Sequence, residues 1–283
     1  MRAVAPLATA LVGMSLAVPV RAASWSDLTL APTAGPARVI GAPWNGCLAG
    51  AKSLPWDGPG FEVLRPAEHR YFGHPETVEF VERLGREARA AGLPIFYVGD
   101  MAQPRGGPMS SNHISHETGV DVDIWFMLDT VPGLPVAARQ RFEPPPMVLA
   151  DQSAIDPARF GPHQVTLLRL AASDPAVDRI FVNPVIKEAL CKGYSGAGLG
   201  DRNWLGRVHP WYGHEAHFHV RLKCPAGSPL CVERAPVPLG DGCDPAIFAW
   251  WAQELSKPKP ATPVPPPARP PLPAACSALA PTD

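Results

Sequence analysis

Six of the nine histidines fall in two short windows, 113–123 and 209–219. The first reads His113-Ile-Ser-His116-Glu-Thr-Gly-Val-Asp121-Val-Asp123, and the second His209-Pro-Trp-Tyr-Gly-His214-Glu-Ala-His217-Phe-His219. Apolar residues alternate with Asp121 and Asp123, and again with His217 and His219, which predicts strands. Residues two apart on a strand project to one side. His217 with His219, and Asp121 with Asp123, then share the polar face of a sheet while Val122 and Ile124 face the core. A packed core avoids such groups because unpaired buried charge is costly, whereas a metal site needs them. Two imidazoles and one carboxylate would leave a tetrahedral Zn2+ an open position for water, and the ion lowers that water's pKa to about 7 and polarises a carbonyl. This is hydrolytic chemistry, with a remaining histidine free to act as general base.

Competing catalytic motifs fail on spacing. His214-Glu-Ala-His217 is one residue short of the helical His-Glu-x-x-His zinc motif. Gly193-Tyr-Ser195-Gly-Ala misses the Gly-x-Ser-x-Gly elbow of serine hydrolases. The Ser-x-x-Lys at Ser256-Lys-Pro-Lys259 contains Pro258, which precludes the helix that a penicillin-sensitive serine mechanism uses.

The elements that must position these residues are those of an α+β domain: a small antiparallel sheet carrying the zinc site, flanked by helices and long loops and stapled by disulfides. Val78, Val81, Leu84 and Ala88 stand at helical spacing over 78–91, with Gly92 as the stop. A buried strand follows over 93–99, then a polar loop over 100–117 and the alternating strand over 120–126. Helices are predicted over 163–173, 184–190 and 245–255, and strands over 179–183 and 217–222.

The chain has 283 residues, 25 Lys and Arg against 26 Asp and Glu, and 18% charged residues. It is no polyelectrolyte, and it lacks the basic surplus with which a nucleic-acid binder releases counterions. With 46% hydrophobic residues it has ample material for a core. Proline is in excess, at 37 residues against roughly 5% in average usage. Residues 1–22 read as a signal peptide: Arg2, an apolar run, and the small-x-small end Val20-Arg21-Ala22. No other segment is long and apolar enough to span a bilayer, so an exported, soluble mature protein without a membrane span is expected. A single domain is expected over 23–256. The tail, 257–283, carries 10 of the prolines and should be polyproline II in its core. Six cysteines in an oxidising compartment predict three disulfides with 15 connectivities open, of which only Cys224 with Cys231, around a turn-rich loop, is favoured locally. Cys276 would tie the tail back onto the globule.

At these residues the sequence resembles the penicillin-insensitive murein endopeptidases, zinc enzymes akin to the lysostaphin-type peptidases and the D-Ala-D-Ala metallocarboxypeptidases. The matching blocks are Tyr71-Phe-Gly-His-Pro, Gly99-Asp-Met, Ser115-His-Glu-Thr-Gly-Val-Asp-Val-Asp-Ile, Arg179-Ile-Phe-Val-Asn-Pro, His214-Glu-Ala-His-Phe-His-Val-Arg-Leu and Gly240-Asp-Gly-Cys. The family's His-x6-Asp and distant His-x-His pattern falls on His116, Asp123 and His219 as zinc ligands. By the same resemblance His217 is the base or transition-state stabiliser, His214 supports the site or contacts substrate, and His113 is the extra histidine of a second metal site. The family's Asp-x-x-His element corresponds to Asp151-Gln-Ser-Ala154. Alanine in the histidine's place leaves Asp151 a weak ligand and implies one Zn2+ per chain. The implied disulfides are Cys47–Cys276, Cys191–Cys243 and Cys224–Cys231.

The resemblance implies hydrolysis of the D-alanyl to meso-diaminopimelyl cross-links of peptidoglycan in the periplasm of a Gram-negative cell. Arg105, in the loop before the first ligand, either meets a substrate carboxylate or is a solvated loop charge. The alternatives are a zinc D,D-carboxypeptidase trimming stem peptides and a non-catalytic zinc- or wall-binding protein. The sequence leaves the oligomeric state open.

Overall fold

The computed structural model describes Trp25 and residues 31–109, 113–129, 133–193, 201–257 and 269–280. Their strands, in chain order, are β1 (Arg38–Ala42), β2 (Asn45–Ala49), β3 (Lys52–Ser53), β4 (Asp57–Gly58), β5 (Phe61–Val63), β6 (Phe72–Gly73), β7 (Ile95–Val98), β8 (Asp121–Asp129), β9 (Val177–Val182), β10 (Val208–Pro210), β11 (His217–Leu222) and β12 (Leu230–Cys231). The helices are α1 (Pro75–Ala90), α2 (Val136–Arg139), α3 (Pro162–Ser173), α4 (Pro184–Cys191) and α5 (Pro245–Ser256). The expected signal peptide at 1–22 and most of the expected polyproline stretch, 258–268, lie outside the described residues.

Some of the proline excess goes into helix starts. Helices α1, α3, α4 and α5 each open on proline, where the missing N–H would have had no partner and the fixed φ already suits a helix. Caps reinforce three of them: His74 Nδ1 accepts from the Glu76 amide at 3.3 Å, Asn183 Oδ1 from Val185 at 2.9 Å, and Asp244 Oδ1 from Ala246 at 2.9 Å. Helix α1 buries Val78, Val81, Leu84 and Ala88 as their spacing predicts.

One sheet runs β10-β9-β11-β8-β7-β5-β4. Its centre, from β9 to β7, is antiparallel, as expected. Strand β10 joins β9 in parallel and β5 joins β7 in parallel, so the sheet is mixed and wider than the sequence implied. Both parallel pairs are crossovers through a helix, α4 in one and α1 in the other, and residue alternation carries no record of pairing direction. In the β8–β11 pair, Asp121 stands opposite Arg221, Asp123 opposite His219 and Trp125 opposite His217. Between them Val122, Ile124, Phe126, Phe218 and Val220 point the other way and are fully buried in the main core. Burying such a side chain stabilises by roughly 1.5–3 kcal/mol, and a one-residue register slip would exchange the two faces.

A second sheet, β12-β1-β2, covers one flank. The described part of the tail folds against it. Cys47 and Cys276 join β2 to the turn at Ala274–Leu279, and with Ile40, Ala49 and Leu279 they form a small separate core. Cys191 pairs with Cys243 and Cys224 with Cys231. No helix among the described residues is long and apolar enough to cross a membrane.

Candidate metal centre

Strands β8 and β11 bring their polar faces to the floor of a cleft of about 550 Å3, whose walls include Trp44, Phe181, Trp211 and Tyr212. At its base Asp123 is 3% exposed. Around the Asp123 carboxylate, His219 Nδ1 lies 3.0 Å from Oδ1, His116 Nε2 3.4 Å from Oδ1 and His217 Nε2 3.7 Å from Oδ1, while His113 Nε2 lies 3.5 Å from Oδ2. Ligands at about 2.0–2.1 Å from a tetrahedral Zn2+ stand roughly 3.3–3.4 Å apart, so the separations from Asp123 to His116 and His219 are of that order. His113, His116 and Asp123 together form a group whose ligand atoms all lie within 4.8 Å of one another.

The fit to a cation rests on more than spacing. Asp123 Oδ1 is buried without a hydrogen-bond donor. A buried carboxylate oxygen left without donors costs free energy unless a cation or donor reaches it. Burial opposes ionisation of Asp123, but attraction to the neighbouring His116 and His217, with His113 at the other oxygen, outweighs it and holds the carboxyl well below the usual range.

The loop before β8 carries two of the imidazoles. His116 adopts a left-handed backbone, φ 72°, which non-glycine residues seldom take. Its amide donates to Asp121 Oδ2 at 3.1 Å. Glu117, next in sequence, fixes the loop from both sides: its Oε2 accepts from the Gly46 amide at 3.1 Å and its amide donates to Pro43 O at 3.0 Å. Arg269 of the tail forms an ion pair with Glu117 and donates to Trp44 O at 3.1 Å. The tail thus buttresses both the ligand loop and one wall of the cleft.

Asp121 does not face the cleft as a second open carboxylate. It is fully buried, and Arg221 donates to it twice, at 2.7 and 2.9 Å. Its Oδ1 lies 3.4 Å from His219 Nε2, behind the nitrogen that faces Asp123. Such a carboxylate behind a ligating imidazole fixes the ring and its tautomer.

The remaining histidines divide by environment. Burial pushes the His217 pKa down more strongly than Asp123 raises it, leaving a neutral ring. His214, with φ 59°, has its Nδ1 2.7 Å from Tyr212 O. A carbonyl can only accept, so that nitrogen carries the proton and Nε2 is an acceptor. Burial, with repulsion from His217 and His219, lowers the His214 pKa to about 3. For His113, burial is outweighed by hydrogen bonds to Asp100 and Asp123, and its pKa rises to about 9. His209 lies apart, beside Phe181.

Sequence reasoning missed Asp100. His113 Nε2 lies 3.0 Å from its Oδ2, and Arg70 Nε 2.8 Å from its Oδ1, giving a line from Arg70 through Asp100 and His113 to Asp123. Its place just after β7, within the Gly99-Asp-Met block, was the signal. Two candidates are not brought to the cleft. Asp151 is exposed on a turn, where Oδ1 accepts from the Ser153 amide and hydroxyl at 3.0 and 2.7 Å, so it acts there as a turn former and does not line the cleft. Arg105 donates to Ala31 O and Leu279 O, both at 3.1 Å. It ties the segment at Ala31 to the turn at Leu279 and does not line the cleft. Arg105→Ala should therefore lower stability by about 1–2 kcal/mol, the worth of a pair of modest hydrogen bonds, and leave KM unchanged. Thermal melts beside steady-state kinetics check this, and a raised KM at unchanged stability would restore it to the substrate site.

A family model described as penicillin-insensitive murein endopeptidase matches residues 39–280. The chain is similar to the penicillin-insensitive murein endopeptidase of Yersinia enterocolitica, 44% identical over 264 residues covering 92% of each chain. Similar likenesses hold for proteins of the same name from Klebsiella pneumoniae, 43% over 261 residues and 91% of each chain, and Haemophilus influenzae, 43% over 238 residues, 82% of this chain and 81% of the relative.

Proposed function

Because the chain belongs to the penicillin-insensitive murein endopeptidase family, we propose that it hydrolyses the D-alanyl to meso-diaminopimelyl bond of peptidoglycan cross-links, with one Zn2+ held by His116, Asp123 and His219. It is a murein endopeptidase acting on peptidoglycan, and the carboxypeptidase and non-catalytic readings are set aside. The observation that carries the metal reading is Asp123 Oδ1, buried, without a donor, and within 3.0–3.7 Å of three imidazole nitrogens. Zn2+ bound there would lower the pKa of water to about 7 and polarise the scissile carbonyl.

The chain's own groups supply the rest. His217, neutral and at the cleft surface, accepts a proton at Nε2 and returns it to the leaving amine, the general acid–base role. His214 offers Nε2 as a hydrogen-bond acceptor to substrate. Arg221 holds Asp121, and Asp121 holds the ring of His219 and the backbone of His116, so the ligands are set before substrate arrives. His113 braces the second oxygen of Asp123 against Asp100. With Asp151 engaged at the surface, one ion per chain is the reading these residues support. Export to the periplasm on a cleaved segment 1–22, a catalytic domain over 23–256 and the tail 257–283 tied back at Cys276 complete the proposal. The three disulfides suit an oxidising compartment.

Digestion of purified sacculi tests this. Cross-linked dimers should become monomers without release of free D-alanine, and the activity should persist under penicillin. A chelator should abolish it and added Zn2+ restore it. Undiminished turnover in excess chelator would overturn the metal assignment.

A further inference from the structure

The cleft holds a second charged feature besides the imidazoles. Arg221 and Arg234 both line it, but Arg221 is committed to Asp121 by two short hydrogen bonds. Arg234 is exposed, and its guanidinium carbon lies 5.0 Å from the centre of the Trp44 ring. Among the described residues no carboxylate forms an ion pair with it. The nearest acidic influence, Asp178, is spent on Arg179 at 2.6 Å. Burial, with repulsion from Arg179 and Arg221, depresses the Arg234 pKa from its ordinary value, so the side chain sits in surplus positive potential.

The segment carrying it is pinned on both sides. Cys231 is bonded to Cys224, the Val232 amide donates to Gly41 O at 3.0 Å, and Arg179 donates to Ala235 O at 2.8 Å. With anchors at 232 and 235 the backbone of Arg234 is fixed, and stacking on Trp44 restrains its long side chain. A guanidinium lacking an acid partner, so held at a cleft wall, is preorganised for an anion, and its planar fork suits a carboxylate.

We infer that Arg234, stacked on Trp44, is the residue that binds a substrate carboxylate, the free carboxylate of the diaminopimelyl residue beside the scissile amide. The inference rests on the cross-link reading above. In that bond the amide nitrogen belongs to a stereocentre that keeps its own carboxylate, so every such cross-link presents an anion one carbon from the nitrogen to be released. Zn2+ chemistry acts on the carbonyl side, and Arg234 would fix the amine side. The segment just after the Cys224–Cys231 loop thereby has a part in specificity.

Two purified cross-linked dimers, one with this carboxylate free and one with it amidated, test the assignment against the mature wild-type chain and Arg234→Ala. Wild type should cut the amidated dimer with kcat/KM lower by roughly ten- to a hundredfold, the span for losing a charge-assisted contact. Arg234→Ala should show the same loss on the free-carboxylate dimer, carried mainly by KM, with no further loss on the amidated one and unchanged zinc content. Arg234→Lys should recover part of it, as a point charge without the fork. A variant that still distinguishes the two dimers, or a wild type that does not, overturns the role of Arg234. A wild type that cuts neither overturns the cross-link reading itself.

Discussion

Asp123→Asn should cost the chain metal binding and activity together: zinc bound per chain should fall to background, and conversion of dimers to monomers should slow by roughly a thousandfold or more, about 4 kcal/mol of barrier. Asparagine preserves the size of the side chain and its place opposite His219 on the β8–β11 pair. It removes the anion on which four imidazoles converge. The fold should survive, because the opposite face of β8, with Val122, Ile124 and Phe126, is untouched. Metal analysis, turnover and a thermal melt on the same preparation separate these outcomes. Undiminished zinc in the variant would move the site away from Asp123, and a collapsed melt would make the residue structural.

Breaking the pair behind the site should cost the most stability. Arg221→Met leaves the Asp121 carboxylate fully buried with the His116 amide as its one short donor. An uncompensated buried charge of this kind costs about 3–5 kcal/mol, roughly 10 °C of melting temperature at this chain length. The double variant Asp121→Asn, Arg221→Met removes the charge as well and should recover much of that loss. It should not recover metal affinity, which falls by about 10- to 100-fold when the group behind a ligating imidazole is lost. Thermal melts and zinc titrations of both variants decide it, and a single variant within 1 kcal/mol of wild type would remove the pair from this role. The pH dependence has a definite sign. Burial opposes the Asp121 charge, but Arg221 and His219 hold its carboxyl well below the usual range. Its stabilisation is therefore complete above the unfolded value near 4 and lost only as the solution is taken toward the folded value in strong acid.

The floor of the site is legible because strands keep a strict period of two. Asp-x-Asp and His-x-His between apolar residues suffice to put Asp121, Asp123, His217 and His219 on one face. The same pattern hides that Asp121 is consumed by Arg221, since which residues stand opposite is set by the pairing of two strands a hundred residues apart. Asp100, Trp44 and Arg234 reach the site from three different segments, and nothing local to them records that meeting. Arg105 illustrates the converse: it is close to His113 in sequence yet turns toward Ala31 and Leu279. The helices are read well because proline, caps and apolar spacing act within a few residues. The β1–β2 hairpin escapes such reading, as its strands are five residues each and owe part of their burial to the tail.

Synthesis of the chain runs in one direction, and the anchoring of Glu117 and Cys47 by the tail gives that direction a meaning. Cys47 is made 229 residues before Cys276, and Glu117 likewise waits for Arg269. A chain ended at Ser256 would already hold every candidate ligand, yet the loop bearing His116 would lack its outer brace and the first hairpin its cover. Possession of the ligands and assembly of the centre are thus separate events in the life of the molecule. For an enzyme that cuts peptidoglycan, the order places completion of the blade after synthesis of the tail.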